Sequence, residues 1–111
     1  MASEYKNELQ HLPTASAMID VLTAPTGKSN IIKLIQATNV TSSAATLDLA
    51  VSSSGQFYLA KDISINSQAS YVAVDDPVIL EAGDKLQAKC VNIHNGLDLV
   101  VSYLQVSSSI S

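Results

Sequence analysis

The chain has no arginine and no tryptophan, a single cysteine, and one phenylalanine beside four tyrosines. Each shortage closes a class of function. All six basic residues are lysines, set against ten carboxylates for a net charge of −4. Without arginine there is no bidentate reader of phosphate or guanine, and an acidic surface repels the nucleic-acid backbone that supplies most non-specific affinity. No nucleic-acid partner is expected. One cysteine, Cys90, excludes an intramolecular disulfide and the multi-cysteine zinc patterns. It falls in an expected strand and reads as a small buried hydrophobe. No apolar run approaches the ~20 residues of a membrane span, so no membrane partner is expected either. The N-terminus, Met-Ala-Ser-Glu-Tyr-Lys, has no apolar core of a secretory signal, which puts the expected compartment in a cytoplasm.

What is present is the vocabulary of pleated surfaces. Hydrophobic residues make up 47% of 111. With aromatics scarce, Ile, Val, Leu and Ala must fill the interior. A chain of this length is one domain that buries roughly 65% of its unfolded surface. The stretch from Leu80 to Val106 reads most clearly. Glu81-Ala82-Gly83-Asp84 is a turn and Lys85–Ile93 a β-run. Asn95-Gly96 is the hairpin dipeptide that type I′ turns favour. A closing strand follows, with Leu97, Leu99, Val101 and Tyr103 alternating with Asp98, Val100, Ser102 and Leu104.

Residues 1–16 are polar and lack alternation, and are read as an N-terminal arm outside a β-domain of residues 17–111. A turn or two of helix over Glu4–Leu9 would be marginal in isolation. The segment is either a loose terminus or an arm that orders on a neighbouring subunit through Tyr5, Leu9 and Leu12. Ala17–Leu22 is a first short strand. Gly27-Lys28-Ser29 is not the tail of a phosphate loop, since Leu22 stands where the earlier glycine is required. Asn30–Val40 is apolar on both faces, which places it in the middle of a sandwich or at a subunit interface. Ala45–Ser52 alternates cleanly, with Leu47, Leu49 and Val51 inward and Asp48, Ala50 and Ser52 outward. Gln56–Ala60, a short run through Ile63 and Ile65, Ser70–Val74 and Val78–Leu80 complete the set. Seven to eight short strands at about ten-residue intervals predict an all-β fold: a small β-sandwich, jelly-roll or Greek-key-like.

Candidate chemistry is thin. Asp75, Asp76, Glu81 and Asp84 form the one acidic cluster. They are either weak calcium candidates or turn formers on a solvated rim. His11 and His94 are far apart in sequence, and no serine sits in a nucleophile-elbow context. No catalytic residue and no cofactor is assigned. Asn39-Val40-Thr41 matches the glycosylation sequon but reads as strand-end chemistry. Tyr58 and Tyr71 are the outward aromatics a carbohydrate-binding module could use. Charged residues are only 14%, against a typical ~25%, and low charge suits surfaces that pack against copies or an assembly. The expected interface residues are Tyr5, Leu9, Leu12, Ile31, Lys33 and Ile35.

Four segments carry a resemblance: IQATNVTSSAATLDLAV at 35–51, YLAKDISI at 58–65, VILEAGDKLQA at 78–88 and VVSYL at 100–104. Together they resemble small virion structural proteins of tailed bacteriophages, over about residues 20–106. Gln105 stands where that pattern more often has an acidic residue, and residues 1–16 lie outside the match. The resemblance implies a non-enzymatic β-sandwich acting in the virion after assembly in the host cytoplasm. Its implied role is a capsid decoration or cement protein, with a neck, tail or baseplate accessory protein as the alternative. The implied partners are copies of itself, with a trimer favoured, and other virion proteins such as the major capsid protein. A host-surface carbohydrate-binding module is the reading from a different class.

Overall fold

In the computed structural model, which describes residues 3–14, 17–74 and 77–107, nine strands are divided between two antiparallel sheets. They are β1 (Ser3–Leu12), β2 (Ile19–Thr23), β3 (Lys28–Asn39), β4 (Ala45–Ser52), β5 (Gln56–Ile65), β6 (Ser70–Val74), β7 (Val78–Leu80), β8 (Lys85–Cys90) and β9 (Leu97–Ser107). Sheet A runs β1-β9-β3, with β6 and β7 following one another along the far edge of β3. Sheet B runs β2-β8-β4-β5. Counting β6 and β7 as one broken strand, this is the eight-stranded jelly roll, two four-stranded sheets wound from Greek keys. The all-β sandwich read from the sequence is therefore the fold.

The connection after β8 differs from the hairpin expected at Asn95-Gly96. Strands β8 and β9 do not pair; β8 lies between β2 and β4 in sheet B, and β9 between β1 and β3 in sheet A. Residues 91–96 carry the chain across the sandwich, and they are fastened to the end of the β3–β4 connection and the start of β4. Val91 N–H donates to Thr46 O at 2.8 Å, Asn92 Oδ1 accepts from Thr46 N–H at 2.9 Å, and Asn92 Nδ2 donates to Ala44 O at 3.0 Å. Asn95 takes a positive φ of 55°, but Gly96 does not, so the turn is not type I′. Gly96 is needed for packing: a Cβ there would lie 2.8 Å from Ile93 Cβ.

Strand β3 explains its own two-faced pattern. Its pairing with β9 shifts register between Ile32 and Leu34. Lys33 is the extra residue of a bulge, and a bulge resets the period of two. Asn30 and Ile32 point inward before it, and Ile35, Ala37 and Asn39 point inward after it. The double apolar character thus needs no back-side cover over its whole length.

Residues 3–12 are not an arm apart from the domain, nor a helical turn, but the edge strand β1, paired with β9 in unbroken register from Ser3↔Val106 to Leu12↔Leu97. Period two puts Leu12 in the core, fully buried, and carries Lys6 and Glu8 into the same inward row at the open end of the edge. Inward-pointing charges on an edge strand disfavour further strand addition.

The core is aliphatic. Leu12, Ile32, Ile35, Leu47, Leu49, Leu80, Leu86, Leu97, Leu99 and Val101 are all essentially inaccessible, and Cys90 packs among them as a free thiol. Asp48, expected outward and solvated, is only 3% exposed. The cause is a bulge in β5: Leu47 pairs with Ile63 and Leu49 with Ala60, leaving Lys61 and Asp62 opposite Asp48. Its Oδ1 accepts the Asp62 N–H at 2.8 Å, where Asp62 has φ 53°.

Candidate functional site: the outer face of sheet A

The two outer faces of the sandwich are chemically unlike. On sheet B the outward residues are bound to one another. Gln56 Nε2 donates to Gln87 Oε1 at 2.9 Å, Gln87 Nε2 donates to Asp20 Oδ1 at 2.8 Å, and Lys85 Nζ lies 3.2 Å from Asp20 Oδ2. The Gln87 hydrogen bond, together with Lys85, holds the Asp20 carboxyl below its ordinary range. Lys61 stands 3.8 Å from Asp48 on the same face. These polar groups are satisfied by one another, with Tyr58 the exposed aromatic at the β5 edge of the same face.

Sheet A presents the opposite. Strand registers set its outward residues in rows across the sheet. One row joins Tyr5, Leu104, Ile31 and Ile79; another joins Leu9, Val100, Gln36 and Val72. Tyr5 is 81% exposed, Leu9 68%, Ile79 58% and Val72 51%. Between these rows lie Asn7 and Ser102, hydrogen-bonded at 2.9 Å, and then Leu34. The row at one end is polar: His11 against Asp98 at 2.6 Å, Thr38 against Ser70 at 2.8 Å. Beside that row a depression of about 260 Å³ is lined by Leu9, Gln10, His11, Asp98, Leu99 and Val100. Single exposed hydrophobics are ordinary, whereas a contiguous apolar sheet face marks an interaction surface.

Of the six residues expected at an interface, the structure brings Tyr5, Leu9 and Ile31 together on this face and leaves Lys33 exposed at the bulge beside them. Leu12 and Ile35 are corrections. Both are fully buried, Leu12 because it falls in the inward row of β1 opposite Leu97 and Ile35 because the Lys33 bulge turns it inward. Val72, Ile79, Val100 and Leu104 belong to the face and were not singled out. Their signal lay in the second row of the closing strand, where Val100 and Leu104 break the polar alternation.

The remaining candidates fall elsewhere. Glu81 and Asp84 close their turn on each other, Asp84 Oδ2 accepting the Glu81 N–H at 3.1 Å and Asp84 N–H donating to Glu81 O. Asp75 and Asp76 lie outside the described residues, and no group of three potential ligands that could hold a metal occurs among those described. His94 is exposed in the crossing loop, on a different element from the His11–Asp98 pair. Asn39 is fully buried: its Nδ2 donates to Ser43 O and Ile65 O, and its Oδ1 accepts from the Thr41 N–H and hydroxyl. The amide organises the β3–β4 loop, which is the strand-end role read for it. Tyr58 is outward, with Lys61 Nζ 4.9 Å above its ring, while Tyr71 turns inward against the core. Phe57 and Leu59 join Tyr58 as exposed residues of the edge strand β5. Among the described residues no helix is long and apolar enough to cross a membrane.

No protein-family model matches the chain, and no curated protein or solved structure matches it. The functional reading therefore rests on the surface just described and on the resemblance of its sequence segments.

Proposed function

We propose that the chain is a non-enzymatic structural protein of a tailed-phage virion, a decoration or cement protein that assembles with copies of itself on the capsid. The observation that carries the assembly role is the apolar outer face of sheet A, set against the hydrogen-bonded polar face of sheet B. A monomer working alone in water gains nothing from a sheet face that exposes Tyr5, Leu9, Val72 and Ile79. An assembly subunit gains roughly 25 cal/mol per Å² of apolar surface removed from water. The jelly roll itself serves viral capsid proteins, lectins and cupins alike, so the topology argues for none of them over the others. The virion assignment draws on the resembling segments, and the low charge density accords with it. A protein that binds only the assembled shell shifts the equilibrium toward that shell by mass action.

A second reading, a host-surface carbohydrate-binding module, is favoured by the exposed pair Phe57 and Tyr58 on β5. Quantitative stoichiometry on purified particles and on DNA-filled heads lacking tails tests the proposal. Hundreds of copies on tailless heads is the expected result. A few copies, absent from heads, would move the chain to the neck or tail. Absence from particles, with saturable binding of the isolated protein to host polysaccharide, would replace the proposal with the second reading.

A further inference from the structure

We infer that the outer face of sheet A is covered by a second copy of the same chain, in a two-fold pair whose A sheets stack face to face. The inference rests on the reading of the chain as an assembly subunit and names what that subunit touches first.

The order of residues within each row suits a two-fold pair. A two-fold axis lying between the faces, parallel to the strands and midway between β9 and β3, keeps every row at its own level and reverses its order. Tyr5 then stands over the partner's Ile79, Leu104 over the partner's Ile31, and Leu9 over the partner's Val72, as the strand registers dictate. Apolar meets apolar along the whole first row and at the ends of the second, where Val100 lies over the partner's Gln36. The polar row, with His11 at one end and Ser70 at the other, meets itself and forms the rim. Sheets packed with strands within about 30° of alignment, ~10 Å apart, are an ordinary way to close a β core.

Charge points the same way. The chain carries −4 overall. Among the described residues, however, this face holds one carboxylate, Asp98, and one ammonium, Lys33, besides His11. Among the described residues the remaining acidic excess lies off this face, so the described charges of two such faces meet without net repulsion. A partner chosen for opposite charge would find nothing here to attract it.

The area of the face is that of a stable interface. Four strands at ~4.8 Å spacing and about nine residues at ~3.3 Å make a face of roughly 19 by 30 Å. With side-chain relief this is on the scale of the ~800 Å² per partner of a standard stable interface. A face that matches itself closes with two copies, whereas the trimer favoured from the sequence needs two different patches on each copy. The β5 patch of Phe57, Tyr58 and Leu59, on the far edge of sheet B, stays open for contact with the shell.

Sedimentation equilibrium on the full chain tests the pair. The expected mass is about 23 kDa, twice the 11.7 kDa of the chain. Val100→Lys, near the centre of the face, is expected to weaken the pair at least tenfold. Val72→Lys on β6 is expected to do the same, so the test survives if either variant folds poorly, and far-UV circular dichroism with cooperative unfolding reports which one is folded. Lys89→Glu on the outer face of sheet B should leave the mass at about 23 kDa. A monomer at ~100 μM, an odd-numbered assembly, or a pair that persists in both folded variants overturns the inference. Particle stoichiometry separates the two claims: a pair that never joins a particle refutes the virion reading alone, and a particle-bound monomer refutes the pairing alone.

Discussion

His11 Nδ1–H donates to Asp98 Oδ1 at 2.6 Å, across the ladder that joins the first strand to the last. With Ser102 Oγ donating to Asn7 Oδ1 at 2.9 Å, it binds the outward row of β1 to β9 by side chains as well as backbone. The pair is exposed, and exposed pairs contribute only about 0–1 kcal/mol. What anchors β1 is the inward row, and there above all Leu12. The strand therefore has two sides with separate duties: Leu12 belongs to the fold, while Tyr5 and Leu9 belong to the surface.

That division gives the first prediction. Leu12→Ala should destabilise the isolated domain by about 2–5 kcal/mol, the usual cost of a cavity at a fully buried leucine. Leu9→Ala, at 68% exposure, should change stability by less than about 0.5 kcal/mol while weakening self-association. Urea unfolding monitored beside sedimentation separates the two effects. Equal losses of stability from both variants would contradict the two-sided reading of β1.

Gly96 gives the second. A methyl group there would lie 2.8 Å from Ile93 Cβ and 3.2 Å from Ile93 O, and overpacking typically costs about 1–3 kcal/mol. Gly96→Ala should fall in that range. Ile93→Ala removes the Cγ2 that would lie 3.0 Å from that methyl and should recover part of the loss in the double variant, the Cβ and carbonyl contacts remaining. Additive losses in this cycle would show that Ile93 Cγ2 contributes nothing to the clash.

How much of this was legible in the sequence follows from what sequence periodicity can report. Strands β4, β6 and β7 were readable to the residue because each is bounded by turn chemistry; β4 carries no extra residue, and the one in β6, Ala73, sits too near the strand's end to disturb its bounds. Strand β3 was readable as a strand but not by face, since an alternation broken at Lys33 looks like two apolar faces rather than one that switches. Asn95-Gly96 pointed to a hairpin because that dipeptide reports a local turn. Whether the flanking strands then pair depends on Cys90 and Leu97 entering different sheets, which is a property of the whole winding. Strand β1 was hidden because most of its inward row is Lys6, Glu8 and Gln10, the reverse of the usual pattern, and only Leu12 betrays it. The candidate face was half visible: Tyr5, Leu9 and Ile31 stood out as apolar residues without an assigned core place. Val72 and Ile79 could be added only once register had set them in the same rows.

The Asp48 carboxylate provides the third prediction. It is 3% exposed and accepts the N–H of Asp62, a residue held at φ 53° in the β5 bulge. Asp48→Ala leaves that N–H without its acceptor and should cost about 1–3 kcal/mol. Asp48→Asn keeps an amide oxygen for the bond and should cost less. Because a bulge also keeps an edge strand from presenting a flat, unpaired ladder, Asp48→Ala should aggregate faster on mild heating. Hydrogen exchange in β5 is the direct measurement, with faster exchange expected at Asp62 in Asp48→Ala than in Asp48→Asn. Identical exchange in the two variants would remove the carboxylate from this role.

Alkaline pH should expose the state of Tyr103. It faces inward on β9 at 7% exposure, beside the inward row of β1. Burial, and after it the negative charge of Glu8, push its phenol above the ordinary value of 10.0. The folded chain thus keeps this proton at pH values where the unfolded chain has begun to release it. The contribution is fully present below pH 10 and declines as pH rises from there through the folded-state value. Tyr103→Phe has no proton to lose, so its stability should fall less steeply than the wild type above about pH 10. Glu8→Gln, which keeps the phenol but removes the nearby charge, should give an intermediate slope. Each variant differs from the wild type at one side chain, so the comparison of slopes isolates this site. Parallel stability curves for wild type and Tyr103→Phe between about pH 9 and 11 would mean that the phenol ionises equally in both states, and that the β1–β9 edge is open to water at this position.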